Sequence, residues 1–201
     1  MDHSSKILDK PATADGRRQR SQRSREKIVA AMLKLVRGGE MSPSAAQVAE
    51  TSGVSLRTVF RHFEEMDSLY GEMSAVIEQE IMPILKRPLT SSNWRQQIDE
   101  LISKRIEVYE KVLPLKVSGS VRRFQSDYLK QDYDQFLKLE RAGLKHVLPK
   151  SVTANAALFS ALEMTICFEA WRSMRQDRRL SVKQAEAALR LAVDRLLAKE
   201  S

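Results

Sequence analysis

Between Ser44 and Phe63 the chain reads S-A-A-Q-V-A-E-T-S-G-V-S-L-R-T-V-F-R-H-F, and several of its polar residues have the types and spacing that engage a nucleic-acid duplex. Val59 and Phe63, at i and i+4, fall on one side of a helix, whereas Arg57, Thr58 and Arg61 point away from it. A short helix with a polar, basic outer side can enter a DNA groove, where side chains meet phosphates and base edges.

Such a face is useful only if it is held rigidly, and the flanking residues supply the means. The Ser44 hydroxyl can cap a first helix while Gln47, three residues on, reaches back to the free backbone N–H. Val48 and Ala49 form its inner side, Ala49 being small enough for a second helix to cross closely. Gly53 ends the helix, because glycine takes the left-handed conformation at little steric cost. Val54 is then a buried plug and Ser55 a second N-cap. The spacing predicts two short helices at a tight turn, the second in the major groove and the first across the backbone.

The charge distribution agrees with this reading. The 201 residues carry a formal net charge of +8, and from Gly16 to Phe63 ten Lys or Arg face three Asp or Glu. Residues 64 to 201 carry 22 against 20, so the excess sits beside the two short helices and predicts salt-sensitive binding. At 42% apolar content the chain can form a packed core, as one large domain or two smaller ones. A single cysteine, Cys167, excludes an intramolecular disulfide, and the N-terminus lacks a secretory h-region, so a reducing, cytoplasmic site is expected. The longest apolar run, Ile28 to Leu33, is six residues against the roughly 20 a membrane helix needs, which predicts a protein with no membrane partner.

The periodicity predicts an all-α fold. Residues 1–23 read as a flexible basic N-terminal arm that lies along phosphates or a minor groove, or is simply a solvated tail. Residues 24–66 read as a three-helix, helix-turn-helix DNA-binding domain whose first helix starts at Ser24 and ends at Gly38-Gly39. Residues 67–201 read as a helical domain: a connecting helix from Asp67 or Ser68 until Pro83 and Pro88 interrupt it, Trp94 to Val112 broken by Pro114, a short segment Lys116 to Phe124, Asp127 to Leu148, a mostly apolar Ala154 to Met174, and Ser181 to Lys199. The last helix carries a stripe of Ala185, Ala188, Leu189, Ala192, Val193 and Leu196, suited to close helix packing.

Taken together, S-R-E-K-I at the first helix, V-A-E-T-S-G-V-S at the turn, T-V-F-R-H-F in the second short helix and M-D-S-L-Y opening the fourth resemble the TetR/AcrR family of transcriptional regulators. The resemblance is specific from Ser24 to Tyr70 and beyond that rests on helical layout alone. It implies a homodimeric repressor that binds a pseudo-palindromic operator and is released by a small-molecule effector held in the C-terminal domain. It implies that Ser44, Ser55, Thr58, Phe60 and His62 hold the DNA backbone and that Leu56, Arg57 and Arg61 read base edges. It further implies a four-helix dimer interface built from the last two helices and the alanine-rich stripe. Two positions depart from the family pattern: Phe60 stands where tyrosine is commoner, and Met66 where a lysine often anchors the fourth helix to phosphate.

Other chemistry finds no support in the residues. His3, His62 and His146 are the only histidines and none pairs with another or with Cys167 at a ligand spacing, so neither a metal nor a cofactor is expected. No G-x-S-x-G, G-x-G-x-x-G or P-loop occurs, and no enzymatic activity is expected. Cys167, in an apolar helix, reads as an inert core thiol. Tyr109, Phe124, Tyr133, Phe136, Phe159, Met164 and Phe168 line an effector pocket or are plain core, and a constitutive DNA-binding or architectural protein without an effector is the alternative.

Overall fold

A computed structural model describes residues 12–64 and 66–200. Among them every regular element is helical, in agreement with the expected all-α class, and none of the helices is long and apolar enough to cross a membrane. The chain divides into two compact units, Met1–Leu69 and Tyr70–Ser201.

The first unit contains α1 (Ala12–Arg37), α2 (Ala45–Ser52), α3 (Leu56–Phe63) and the start of α4 (Met66–Lys86). Ile28, Met32 and Val36, at i, i+4 and i+8 of α1, are buried together with Val48 of α2 and Val59 of α3. The sequence places the start of the first helix at Ser24, but α1 begins twelve residues earlier, at Ala12. Ser24 lies inside it, its hydroxyl donating to the Arg20 carbonyl at 3.0 Å instead of capping, and Gln22 donates to Glu26 one turn on. Arginine and glutamine are good helix formers, so this basic stretch extends the helix rather than forming an arm. The part of the expected arm before Ala12 lies outside the described residues.

The second unit holds the rest of α4, then α5 (Trp94–Ser120), a 3-10 turn (Arg123–Gln125), α6 (Asp127–Val147), α7 (Lys150–Ala154), α8 (Ala156–Thr165), α9 (Phe168–Arg172), a π turn (Ser173–Asp177) and α10 (Val182–Leu196). Helix α5 is central, burying Ile98, Ile102, Ile106, Tyr109, Val112 and Leu115, and packs against α6, α9 and α10. Neither Pro83 nor Pro114 ends its helix. A proline forgoes one backbone N–H, and around Pro114 the continuous buried face of Val112 and Leu115 outweighs that loss. Helix α10 opens after Ser181, where the sequence starts it, and Ser181 and Gln184 close a capping box there.

The expected continuous helix from Ala154 to Met174 is broken at Ile166–Cys167. Such a break leaves backbone groups without helical partners, and buried side chains supply them. The Ile166 carbonyl accepts from Arg105 Nη1 and from Tyr109 Oη, each at 2.9 Å. On the other side, the Phe168 N–H donates to Glu140 Oε1 at 2.9 Å, and the same carboxylate oxygen shares the single Tyr109 hydroxyl proton with the Ile166 carbonyl. Cation and carboxylate thus sit on the helix ends whose partial charges each complements. Cys167 Sγ accepts from the Ala170 N–H as the cap of α9, and burial pushes its thiol up, which keeps it protonated. Helix α9 is also held to α5 through Glu110, which accepts from Trp171 Nε1 and Arg175 Nε, both at 2.8 Å.

Replacing Glu140 with Ala leaves the Phe168 N–H without an acceptor, at about 1–3 kcal/mol for a buried donor, while the single Tyr109 hydroxyl proton keeps the Ile166 carbonyl. Urea denaturation should show that loss, and a smaller one for Tyr109→Phe. Burial also raises the Glu140 carboxyl above the usual range, so its contribution to stability is fully present below the unfolded carboxylate pKa and is lost as pH rises through the folded one. Glu140→Gln should therefore flatten the decline of stability above about pH 4.5. An unchanged slope assigns that decline to other groups.

Candidate functional site

The α2–turn–α3 segment is built as its residues dictate. Ser44 Oγ accepts from the Gln47 N–H at 3.3 Å while Gln47 Oε1 accepts from the Ser44 N–H at 2.8 Å, which closes the capping box. Glu40 accepts from Gln47 Nε2 at 3.2 Å and steadies that side chain. Gly53 adopts φ 66° and ψ 23°, a left-handed conformation, and its N–H reaches the Ala49 carbonyl at 3.0 Å. Ser55 then caps α3, its Oγ 3.4 Å from the Thr58 N–H and 2.9 Å from Thr58 Oγ1. Val48 and Val59 are fully buried and Val54 is half-buried, so the turn is fixed from both sides.

The outer side of α3 is open. Arg57 and Arg61 are exposed, Leu56 and Phe60 are 44% and 56% exposed, and with Thr58 and Glu64 they line a shallow depression. Ser44 and Ser55 are exposed at the N-termini of α2 and α3, and Thr58 is half-buried. Seven of the eight residues expected to engage DNA thus present surface. The eighth does not: His62 is only 6% exposed, and Arg25 Nη1 donates to its Nδ1 at 3.3 Å. Position 62 lies three residues after Val59, on the inner side of α3, so its ring joins the underside of the helix instead of facing outward. Arg25 also donates to Ser68 Oγ, linking α1, α3 and the start of α4.

The second unit contains a cavity of about 540 Å³, within the range of small-molecule sites. Of the seven residues expected to line a pocket, Phe124, Tyr133 and Phe168 do so. Tyr109 and Phe136 are not among its lining, their ring centroids 5.7 and 5.8 Å from that of Phe168 in edge-on arrangements; Tyr109 is aromatic core and Phe136 is half-buried. Phe159 is buried beneath Arg141 and Lys145, and Met164 is 71% exposed on α8; neither reaches the cavity.

Charged residues that no motif singles out line the same cavity. Lys116 Nζ pairs with Asp132 Oδ2 at 2.6 Å, and Arg172 Nε with Glu169 Oε2 at 2.8 Å. Tyr133 Oη donates to Glu169 Oε1 at 3.2 Å, and burial together with the Glu169 charge pushes the phenol up, keeping it a donor. The Arg123 guanidinium lies 3.8 Å from the centre of the Tyr133 ring and 5.2 Å from that of Phe124. These contributors come from α5, the 3-10 turn, α6 and α9, and no motif in the sequence links the four.

The expected dimer stripe is divided by the fold. Ala185, Leu189 and Val193 are buried within the second unit, where α10 packs on α8 and α5. Ala188 is exposed, Ala192 and Leu196 are half-buried, and Leu191, absent from the expected set, is 58% exposed beside them. Neighbouring α8 leaves Ala157, Ser160 and Met164 exposed. Among the described residues no group of three or more His, Cys, Asp or Glu side chains is arranged to hold a metal ion.

Compared with family models, curated proteins and solved structures, the chain matches none.

Proposed function

We propose that the protein is a cytoplasmic DNA-binding transcriptional regulator of the TetR/AcrR type, a homodimeric repressor whose α2–turn–α3 segment reads a pseudo-palindromic operator and which a small molecule releases. The observation that carries this reading is the capped, glycine-turned helix pair whose second member exposes Leu56, Arg57, Phe60 and Arg61 together. Arg57 and Arg61 can donate to base edges and Leu56 can meet a thymine methyl, while Ser44, Ser55 and Thr58 offer hydroxyls to phosphate. The Phe60 ring has no hydroxyl to give and offers apolar surface alone. His62 serves the interface from beneath, by fixing α3 to α1.

The two classes of residue behave differently in a duplex selection experiment. Arg57→Ala should relax preference at one position in each half-site, by about 1–3 kcal/mol of lost discrimination, whereas Thr58→Ala should weaken all sequences about equally. His62→Ala should also weaken all sequences, but with a lowered melting temperature, since it acts through folding. A uniform loss for Arg57→Ala would move that residue to the backbone class, and no selectable duplex at all would overturn the reading.

A dimer would draw on the outward side of α10 and the exposed side of α8. Ala188→Glu or Leu191→Glu should weaken self-association about tenfold or more, because a carboxylate is costly to desolvate at a packed interface. Sedimentation would measure it, with Leu139→Glu, at an exposed position on α6, as the control. If the control dissociates the dimer and the α10 variants do not, the interface lies on α6.

A further inference from the structure

The cavity of the second unit has a charge arrangement that selects among ligands. Its floor is apolar, formed by Leu115, Leu129 and Phe168, and its charged groups differ in how far they are already satisfied. Both carboxylates are engaged: Asp132 holds Lys116, and Glu169 holds Arg172 while accepting from Tyr133. Arg172 reaches a further carboxylate, Asp177, at 3.5 Å. Arg123 stands apart. Its guanidinium lies against the Tyr133 and Phe124 rings, and among the described residues no carboxylate pairs with it.

An aromatic face engages the face of a guanidinium and leaves its in-plane N–H groups, which are the ones that form paired hydrogen bonds with a carboxylate. Among the described residues, the Tyr133 hydroxyl is the group that competes for them. An entering cation would have to separate Lys116 from Asp132 or Arg172 from Glu169 and strand a positive charge in a half-buried site. An entering anion separates nothing and completes Arg123.

We propose that this cavity binds a small amphipathic organic acid, its carboxylate on Arg123 and its aromatic or acyl body against Leu115, Leu129 and Phe168. The assignment deepens the reading of the protein as an effector-controlled regulator and rests on it for the consequence of binding, though not for binding itself. The exposed Phe124 ring, at 86% exposure, is available to cover the body of the ligand.

Calorimetric titration of the full-length protein with benzoate, phenylacetate and octanoate tests the proposal, against benzamide and benzyl alcohol as neutral counterparts and benzyltrimethylammonium as a cation. The acids should bind and the neutral and cationic compounds should bind more weakly. Arg123→Gln should weaken the acids roughly tenfold or more, as expected for loss of a charge-assisted hydrogen-bonded pair, with little effect on the neutral compounds. Arg123→Lys should recover part of the loss. Arg123 lies in a surface turn, and an unchanged melting temperature of the unliganded variants verifies that folding is intact. Equal binding of acid, amide and ammonium, acid binding unaffected by Arg123→Gln, or no binding of any acid would each overturn the proposal. Duplex binding measured separately keeps the two readings apart. Duplex binding without acid binding removes the anion site alone, whereas Arg123-dependent acid binding without duplex binding leaves the site standing and removes the regulator.

Discussion

The second unit depends on how it satisfies a helix break inside its core. Between Ile166 and Cys167 one helix ends and another begins, and an unpaired carbonyl and N–H there would each forfeit a hydrogen bond with no water to replace it. Arg105, Tyr109 and Glu140, from two other helices, meet those groups. The arrangement fixes more than local geometry. Phe168, Glu169 and Arg172 follow directly after the break, and all three line the cavity, so the direction of α9 out of that polar knot determines what the cavity presents to a ligand. Arg105 and Glu140 are costly to bury singly and become useful because each completes the other's surroundings.

The first unit works by the opposite means, with short-range signals. Ser44 and Gln47, Gly53, and Ser55 each lie within three or four residues of the group they cap, and this part of the structure was legible in the sequence almost residue by residue. Local rules failed where tertiary partners intervened. His62 carries a polar ring, and a motif reading puts it outward; the placement of Arg25, 37 residues earlier, gives it a reason to be buried. Ser24 has the chemistry of a cap, yet the residues before it are good helix formers and the helix runs through it.

In the larger unit the class of fold and most helix positions could be read from periodicity, but helix interruptions could not. Pro83 and Pro114 look like breaks and are not; at Pro114 the helix gains more from the continuous buried face of Val112 and Leu115 than it loses in one hydrogen bond. Ile166–Cys167 looks continuous and is not, because its partners are the distant side chains of Arg105, Tyr109 and Glu140. The cavity was legible in the same partial way. Aromatic residues at helical spacing pointed to its walls, of which three of the seven are lining, while the ion pairs that set its polarity join residues 3 to 16 positions apart with no motif to announce them.

The fixing of α9 through Glu110 gives the chain an optical property. Trp171 is fully buried with its indole N–H bonded to that carboxylate, whereas Trp94, the other tryptophan, sits half-exposed at the start of α5 with Arg95 stacked on it. Two emitters in such unlike surroundings differ in wavelength and in access to a quencher such as iodide. Because Trp171 shares α9 with Phe168, Glu169 and Arg172, the short-wavelength component of native fluorescence reports on the cavity wall without any label.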